Sequence, residues 1–222
     1  MKSLTRLSLA LGAGVLSLGA LATPAAVAAT STPAPKVQPY GHLHAAAAGS
    51  YAVDPDHSGV QFTIGHAGIG MFTGVFSKIT GSYTFDPRHP AASKADITIP
   101  VDSLATFLAP RDKDLLGAEF FDAAKFPDMH FVSTRYVPHG RRGGVLRGDL
   151  TLHGVTRPVA FRVRLIGAGE VSYLPKPWGG FLSGFVATTV IDRTAFGIDA
   201  FSGGIGHMVR VRVEIEGVRK SS

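Results

Sequence analysis

The stretch VRVRVEIE, Val209 to Glu216, alternates branched aliphatic with charged side chains from its first residue to its last. Successive side chains on a strand point to opposite faces. The stretch is therefore a half-buried strand. Val209, Val211, Val213 and Ile215 face an oily interior, and Arg210, Arg212, Glu214 and Glu216 face water.

The same period of two recurs across the chain. Val60, Phe62 and Ile64 alternate with polar or small residues, as do Ile97, Ile99 and Val101. Val159, Phe161, Val163 and Leu165 alternate with Ala160, Arg162 and Arg164. Further strands are expected over 79–85, 129–137, 145–152 and 181–192. Gly- and Pro-rich punctuation separates them, as at Asp86-Pro87, Gly143-Gly144 and Gly154. Adjacent strands joined by short turns form antiparallel meanders. About eight of them suggest a closed barrel or a sandwich, and closure removes exposed edges.

Two segments interrupt the alternation. GIGMFTG, Gly68 to Gly74, resembles a phosphate loop only superficially, because no helix follows to supply an anion site. It reads as a flexible turn. RDKDLLGAEFFDAAKFP, Arg111 to Pro127, combines early charges with Phe120, Phe121 and Phe126. It predicts a short helical turn near 111–119 that closes one end of a greasy container.

Composition narrows the function classes. Of 222 residues 45% are hydrophobic, while charged residues are 17%, below the ~25% of an average domain. Phe occurs 14 times against 5 Tyr and 1 Trp, which hints at an apolar interior beyond ordinary packing. The absence of Cys excludes disulfides, thiolate metal sites and Cys nucleophiles. Residues 1–29 carry Lys2 and Arg6, an apolar run over 7–21 and then small residues, the three parts of a signal peptide. Cleavage is expected after Ala28 or Ala29, and no Cys follows to carry a lipid anchor. Removing Lys2 and Arg6 lowers the formal charge from +6 to +4. That mild excess, clustered only at Arg141-Arg142, argues against a nucleic-acid partner. Residues 30–50, rich in Pro and Ala, are expected to be a disordered linker, with His42 and His44 an inert polar pair. Residues 219–222 are read as a C-terminal tail.

Together these stretches resemble the YceI-like proteins, the polyisoprenoid-binding, lipocalin-like periplasmic family. The likeness covers 51–218 and rests on ordered blocks. They are YAVDPDHSGVQFTIGHAGIG, TGVFSKITGSYTFDP, RDKDLLGAEFFDAAKFP with MHFVST, GDLTLHGVTRPVAF, and GFVATTVIDRTAFGID. Asp114 and Asp192 stand where many members carry His and Asn, which adds acids near a cavity mouth. The resemblance implies an all-β fold, an antiparallel eight-stranded lipocalin-like barrel. It further implies an exported protein that holds a long isoprenoid tail, of a polyprenyl phosphate or a quinone, for carriage or storage. The location is periplasmic, or extracellular in a cell without an outer membrane. Transient membrane contact for lipid exchange and a homodimer are compatible with this reading.

The inward candidates for the ligand wall are Phe62 and Ile64, Phe76 and Phe85, and Ile97 and Ile99. Phe131, Leu150 and Leu152, Phe161 and Val163, and Phe185 and Ile191 complete the set. The pattern alone leaves open a solid core made of the same side chains; the resemblance favours a hollow one. A slender apolar ligand suits a small barrel, since each CH₂ taken from water contributes ~0.8 kcal/mol. Arg111 has two readings: a salt bridge with Asp112, or a contact to a ligand phosphate or quinone oxygen. Arg193 reads as a structural donor to backbone carbonyls. His57, His66 and His153 read as hydrogen-bonded structural residues, and Trp178 as cover on a barrel rim or loop. Local motifs for hydrolases and zinc peptidases do not occur in the sequence. The expectation is a binding protein with no catalytic residues, no metal and no catalytic cofactor. The alternative is an enzyme acting on an isoprenoid lipid with the barrel as substrate tunnel.

Overall fold

The computed structural model describes residues 46–171 and 174–220. The expected leader, most of the expected linker with its two His, and the last two residues lie outside the described residues. No described helix is long and apolar enough to cross a membrane.

Three long strands are each broken once. β1 (Gly49–Val53) and β2 (Gly59–His66) are two segments of the first. β3 (Gly70–Phe76) and β4 (Thr80–Phe85) form the second. β5 (Lys94–Pro100) and the short β6 (Leu104–Ala105), separated by a 3₁₀ turn at Val101–Ser103, form the third. Helix α1 (Ala109–Leu116) follows. The unbroken strands are β7 (Asp128–His139), β8 (Gly143–Leu152), β9 (Val155–Val171), β10 (Gly180–Asp192) and β11 (Ile205–Arg219).

Counted this way there are eight strands, each antiparallel to the next in sequence. β1 pairs with β4 and β2 with β3; β4 pairs with β5 and β3 with β6. The order then runs through β7, β8, β9 and β10 to β11. β11 closes the ring by pairing with both segments of the first strand, Val213 opposite Val60 and Arg219 opposite Tyr51. The result is an up-and-down barrel without a sandwich seam. β1 begins at Gly49, so Gly49 and Ser50 pair with Phe85 and Thr84 and do not belong to a disordered linker. Arg219, read as tail, likewise ends β11.

The outer face carries exposed Arg162, Arg164, Arg210, Arg212 and Glu214, as the alternation requires. Charges at this density cannot sit against lipid around a barrel wall.

The breaks have local causes. At the first, the Asp54 carboxylate accepts from Asp56 N (2.9 Å) and bonds the His57 ring (2.9 Å). Ser58 Oγ donates to Glu216 O and accepts from Glu216 N (3.2 and 2.9 Å). These side chains replace ladder bonds that the bulging backbone cannot make. At the other two, Ser77 N and Ser77 Oγ both donate to Ser103 O, while Ile79 and Val101 are fully buried.

GIGMFTG is a corrected expectation. Only its start turns; from Gly70 onward it is β3. Gly74 lies beneath the Phe62 ring, and a Cβ there would meet Phe62 Cζ at 2.5 Å. The glycine makes room inside a strand.

A pH prediction follows from the first break. The Asp54 bond raises the His57 pKa above 6.5, and burial raises that of Glu216 above 4.5. A raised folded-state pKa contributes stability that is fully present below the unfolded value and is lost as pH rises through the folded one. Both groups act in that direction. The melting temperature should fall modestly as pH rises through the region above 6.5, and H57Q should flatten that part of the profile. A parent profile that rises there would contradict the assignment.

Candidate functional site

The inner faces of the strands do not meet on the axis. They enclose two chambers end to end. The upper, about 990 Å³, lies under α1; the lower, about 770 Å³, opens between the 86–93 and 140–142 connections. Ala95, Ile97, Leu146, Ala187 and Ile215 line both, so the chambers abut along one bore and these five residues are the waist where they meet.

All the inward candidates line this bore. Phe62, Ile64, Phe76, Ile99, Phe131, Leu150, Leu152, Phe161 and Ile191 line the upper chamber. Phe85, Val163 and Phe185 line the lower, and Ile97 lines both. Edge-to-face pairs hold several rings against the wall: Phe131 on Phe161 at 5.2 Å, and Phe85 on Phe185 at 5.3 Å. Tyr83 supports the lower floor. Its hydroxyl lies 2.8 Å from Ser183 O and 2.7 Å from Ser183 Oγ, and burial pushes its pKa well above the ordinary phenol value.

The opposite end is partly covered by the charged insertion, which leaves a mouth beside it and is held by bonds other than those expected. α1 starts two residues earlier than expected, at Ala109. Arg111 and Asp112 do not form a salt bridge; they meet on buried Thr106. Asp112 Oδ1 accepts from Thr106 N (2.8 Å) and from Thr106 Oγ1. Arg111 donates to Thr106 Oγ1 (2.9 Å) and Thr106 O (2.7 Å), and its guanidinium lies 4.1 Å over the Phe72 ring. Arg111 lines the upper chamber with those donors already engaged. Below α1, Phe121 packs edge-on against Phe76 at 5.5 Å, and Phe120 stacks on Phe201 at 5.9 Å.

Arg193 also reaches the upper chamber and is tied to backbone. It donates to Ile198 O (2.7 Å), Gly206 O (2.9 Å) and Ile205 O (3.0 Å). His153 Nδ1 bonds Phe196 O at 3.2 Å, whereas His66 lies exposed at the upper rim. Trp178 reaches Asp56 Oδ2 at 3.3 Å across the surface.

Sequence reasoning missed the lower mouth. Arg88, Lys94, Arg141 and Arg142 line that chamber, and among the described residues none of its lining is acidic. Only the Arg141-Arg142 pair was legible as a cluster. The meander brings the other two alongside.

A barrel with this bore and this lid can be compared with known folds. The YceI-like domain description matches residues 51–217. The chain belongs to the YceI-like family. A YceI-like relative, a UPF0312 protein of Enterobacter sp. (strain 638), is 40% identical over 179 residues, covering 80% of this chain and 90% of its own. Among solved structures, BcnA of Burkholderia cenocepacia has a TM-score of 0.66 at 23% identity, covering 75% of this chain and 99% of BcnA. A domain from Saccharophagus degradans, described as polyisoprenoid binding, has a TM-score of 0.55 at 14% identity. That match covers 77% of this chain and 98% of the domain. Both likenesses concern the YceI-like fold.

Proposed function

We propose that this YceI-like barrel holds one long isoprenoid tail along its axis, as a carrier or store, and performs no chemistry on it. The observation that carries the reading is the pair of apolar chambers that share a wall along the barrel axis. At ~30 Å³ per water, its upper chamber would hold roughly thirty waters against a wall made chiefly of Phe, Leu, Ile and Val. A hydrocarbon chain removes that mismatch and gains ~0.8 kcal/mol per CH₂. The likeness in fold to a domain described as polyisoprenoid binding supports the same ligand class. The methyl-branched, slender shape of an isoprenoid suits a bore with a waist better than a bulky ring system would.

Binding without turnover is supported by the wall's arginines. Arg111 and Arg193 spend their donors on Thr106 and on three backbone carbonyls, an arrangement that fixes the lid. An anionic or quinone head group is accommodated best at the lower mouth, among the four cations. A site of action outside the cytoplasm rests on the leader read in residues 1–29.

The test is solvent extraction of the protein purified from its native host, followed by mass spectrometry. The expected result is a polyprenyl phosphate or isoprenoid quinone at near one per chain. A fatty acid in that amount, or no lipid, would remove the reading.

A further inference from the structure

The two ends of the barrel differ in kind. At the lower end the connections carry Arg88, Arg141 and Arg142. At the upper end the tips at 67–71, 103–110 and 200–206 contain no charged side chain, and the exposed charges nearby, Lys113, Asp114 and Glu119, stand on α1 and the turn after it. Six of the ten exposed large hydrophobic residues among the described residues lie at that end: Ile69, Met71, Phe107, Leu108, Phe201 and Met208. Ile69 is 91% exposed, Phe107 84% and Phe201 64%.

Two of these residues combine costs that a fold alone would avoid. Phe107 and Phe201 have φ of 62° and 53°, in the left-handed region that strains a bulky residue. Phe107 also leaves its ring in water, and Phe201, stacked by one face on Phe120, leaves most of its own there. Asn would relieve both costs, because it tolerates this backbone and is polar. The stack on Phe120 accounts for part of Phe201, whereas Phe107 stays 84% exposed and is explained best by a partner outside the chain.

The tips are neighbours. Ala67 N donates to Gly204 O, which joins the β2–β3 hairpin to the loop bearing Phe201. Thr106, with Arg111 over Phe72, ties the segment bearing Phe107 to β3. They project as separate fingers around the mouth of the upper chamber, which Met71 and Phe201 help to line.

We propose that the upper end docks on a lipid bilayer, with Ile69, Phe107 and Phe201 inserted among the acyl chains and the mouth facing the membrane. The inference rests on the bore being a lipid site, since the rim is continuous with it and the cargo's source is a membrane. Fingers of this kind suit a fluid hydrocarbon phase, which closes around each tip, whereas a protein partner would require a matching socket for each. The inserted tips carry no charge, and Lys113 on α1 at the mouth is offset by Asp114 and Glu119, so docking needs no anionic lipid and depends little on salt. The basic end points away.

The experiment uses the full chain and phosphatidylcholine vesicles. The parent floats with the vesicles at low and high salt, and F107N/F201N loses this by about tenfold or more per ring. Asn suits both backbone positions, but F201N also gives up the stack on Phe120, so F107N alone, which should melt no lower than the parent and still bind less, is the folding control. A second variant reads the site directly: in a W178F background, the tryptophan of F107W is quenched by lipid brominated near the head of the acyl chain. Quenching at that position cannot arise from any other segment of the chain.

A parent that does not float overturns the proposal, as does a double variant that floats like the parent or an unquenched F107W. Binding that requires anionic lipid and disappears in salt also overturns it, and assigns the contact to the basic end. Quenching of F107W in a chain whose bore yields no isoprenoid would uphold the docking surface and retire the carrier reading. The two failures are thus distinguishable.

Discussion

A187F is expected to abolish binding of a long isoprenoid while sparing a short one. Ala187 sits at the waist and lines both chambers, flanked by Val163 and Val213 on the neighbouring strands. A phenyl ring at this point bars passage from the upper chamber to the lower. A tail confined to one chamber loses the burial of at least about five CH₂ equivalents, roughly 4 kcal/mol or a thousandfold in affinity. A tail short enough for the upper chamber alone keeps its affinity. The check is a titration with long and short polyprenyl phosphates, with A95L as a milder plug of the same waist. Thermal melting controls for folding, and filling a void should leave it level or raised. Equal losses for both chain lengths would mean that the chambers do not act in series.

R193A is expected to be the most destabilising single change at the site. Arg193 is only 5% exposed and supplies donors to the carbonyls of Ile198, Ile205 and Gly206. Truncation strands three carbonyls and empties the space of a buried guanidinium. Breaking such an arrangement costs about 3–5 kcal/mol. R193K should recover little, because one ammonium cannot reach three acceptors fixed for a planar fork. Urea denaturation of the parent and both variants measures the difference. Losses below about 1 kcal/mol, the worth of one ordinary hydrogen bond, would show that the loop is held by other contacts. The same loop carries Phe201, so R193A should also loosen the upper rim.

The strands were legible because the barrel has one wet and one oily face, and a period of two survives in sequence wherever that is true. Phe161 and Val163, flanked by Arg162 and Arg164, identify their own direction. The breaks were not legible. Asp54, Ser58 and Glu216 form theirs through a pairing between the two ends of the domain, and local sequence carries no trace of it. The waist was missed for a different reason. A search for a greasy wall finds Phe and Ile, yet the residues common to both chambers include the small Ala95 and Ala187. Similarly, β3 was concealed by Gly74, whose missing side chain is what accommodates Phe62. The role of Thr106 as the meeting point of Arg111 and Asp112 depends on β6 and α1 folding back on each other, a three-dimensional fact.

The ring closes where Tyr51 lies opposite Arg219. These residues lie far apart in sequence, so a chain made from its N-terminus keeps the sheet open, with its oily face uncovered, until β11 has emerged. The last strand to emerge is the one that seals it, and pairings so distant in sequence form slowly. A barrel sealed by its last strand cannot fold piecemeal: its oily face is covered only when β11 meets β1 and β2.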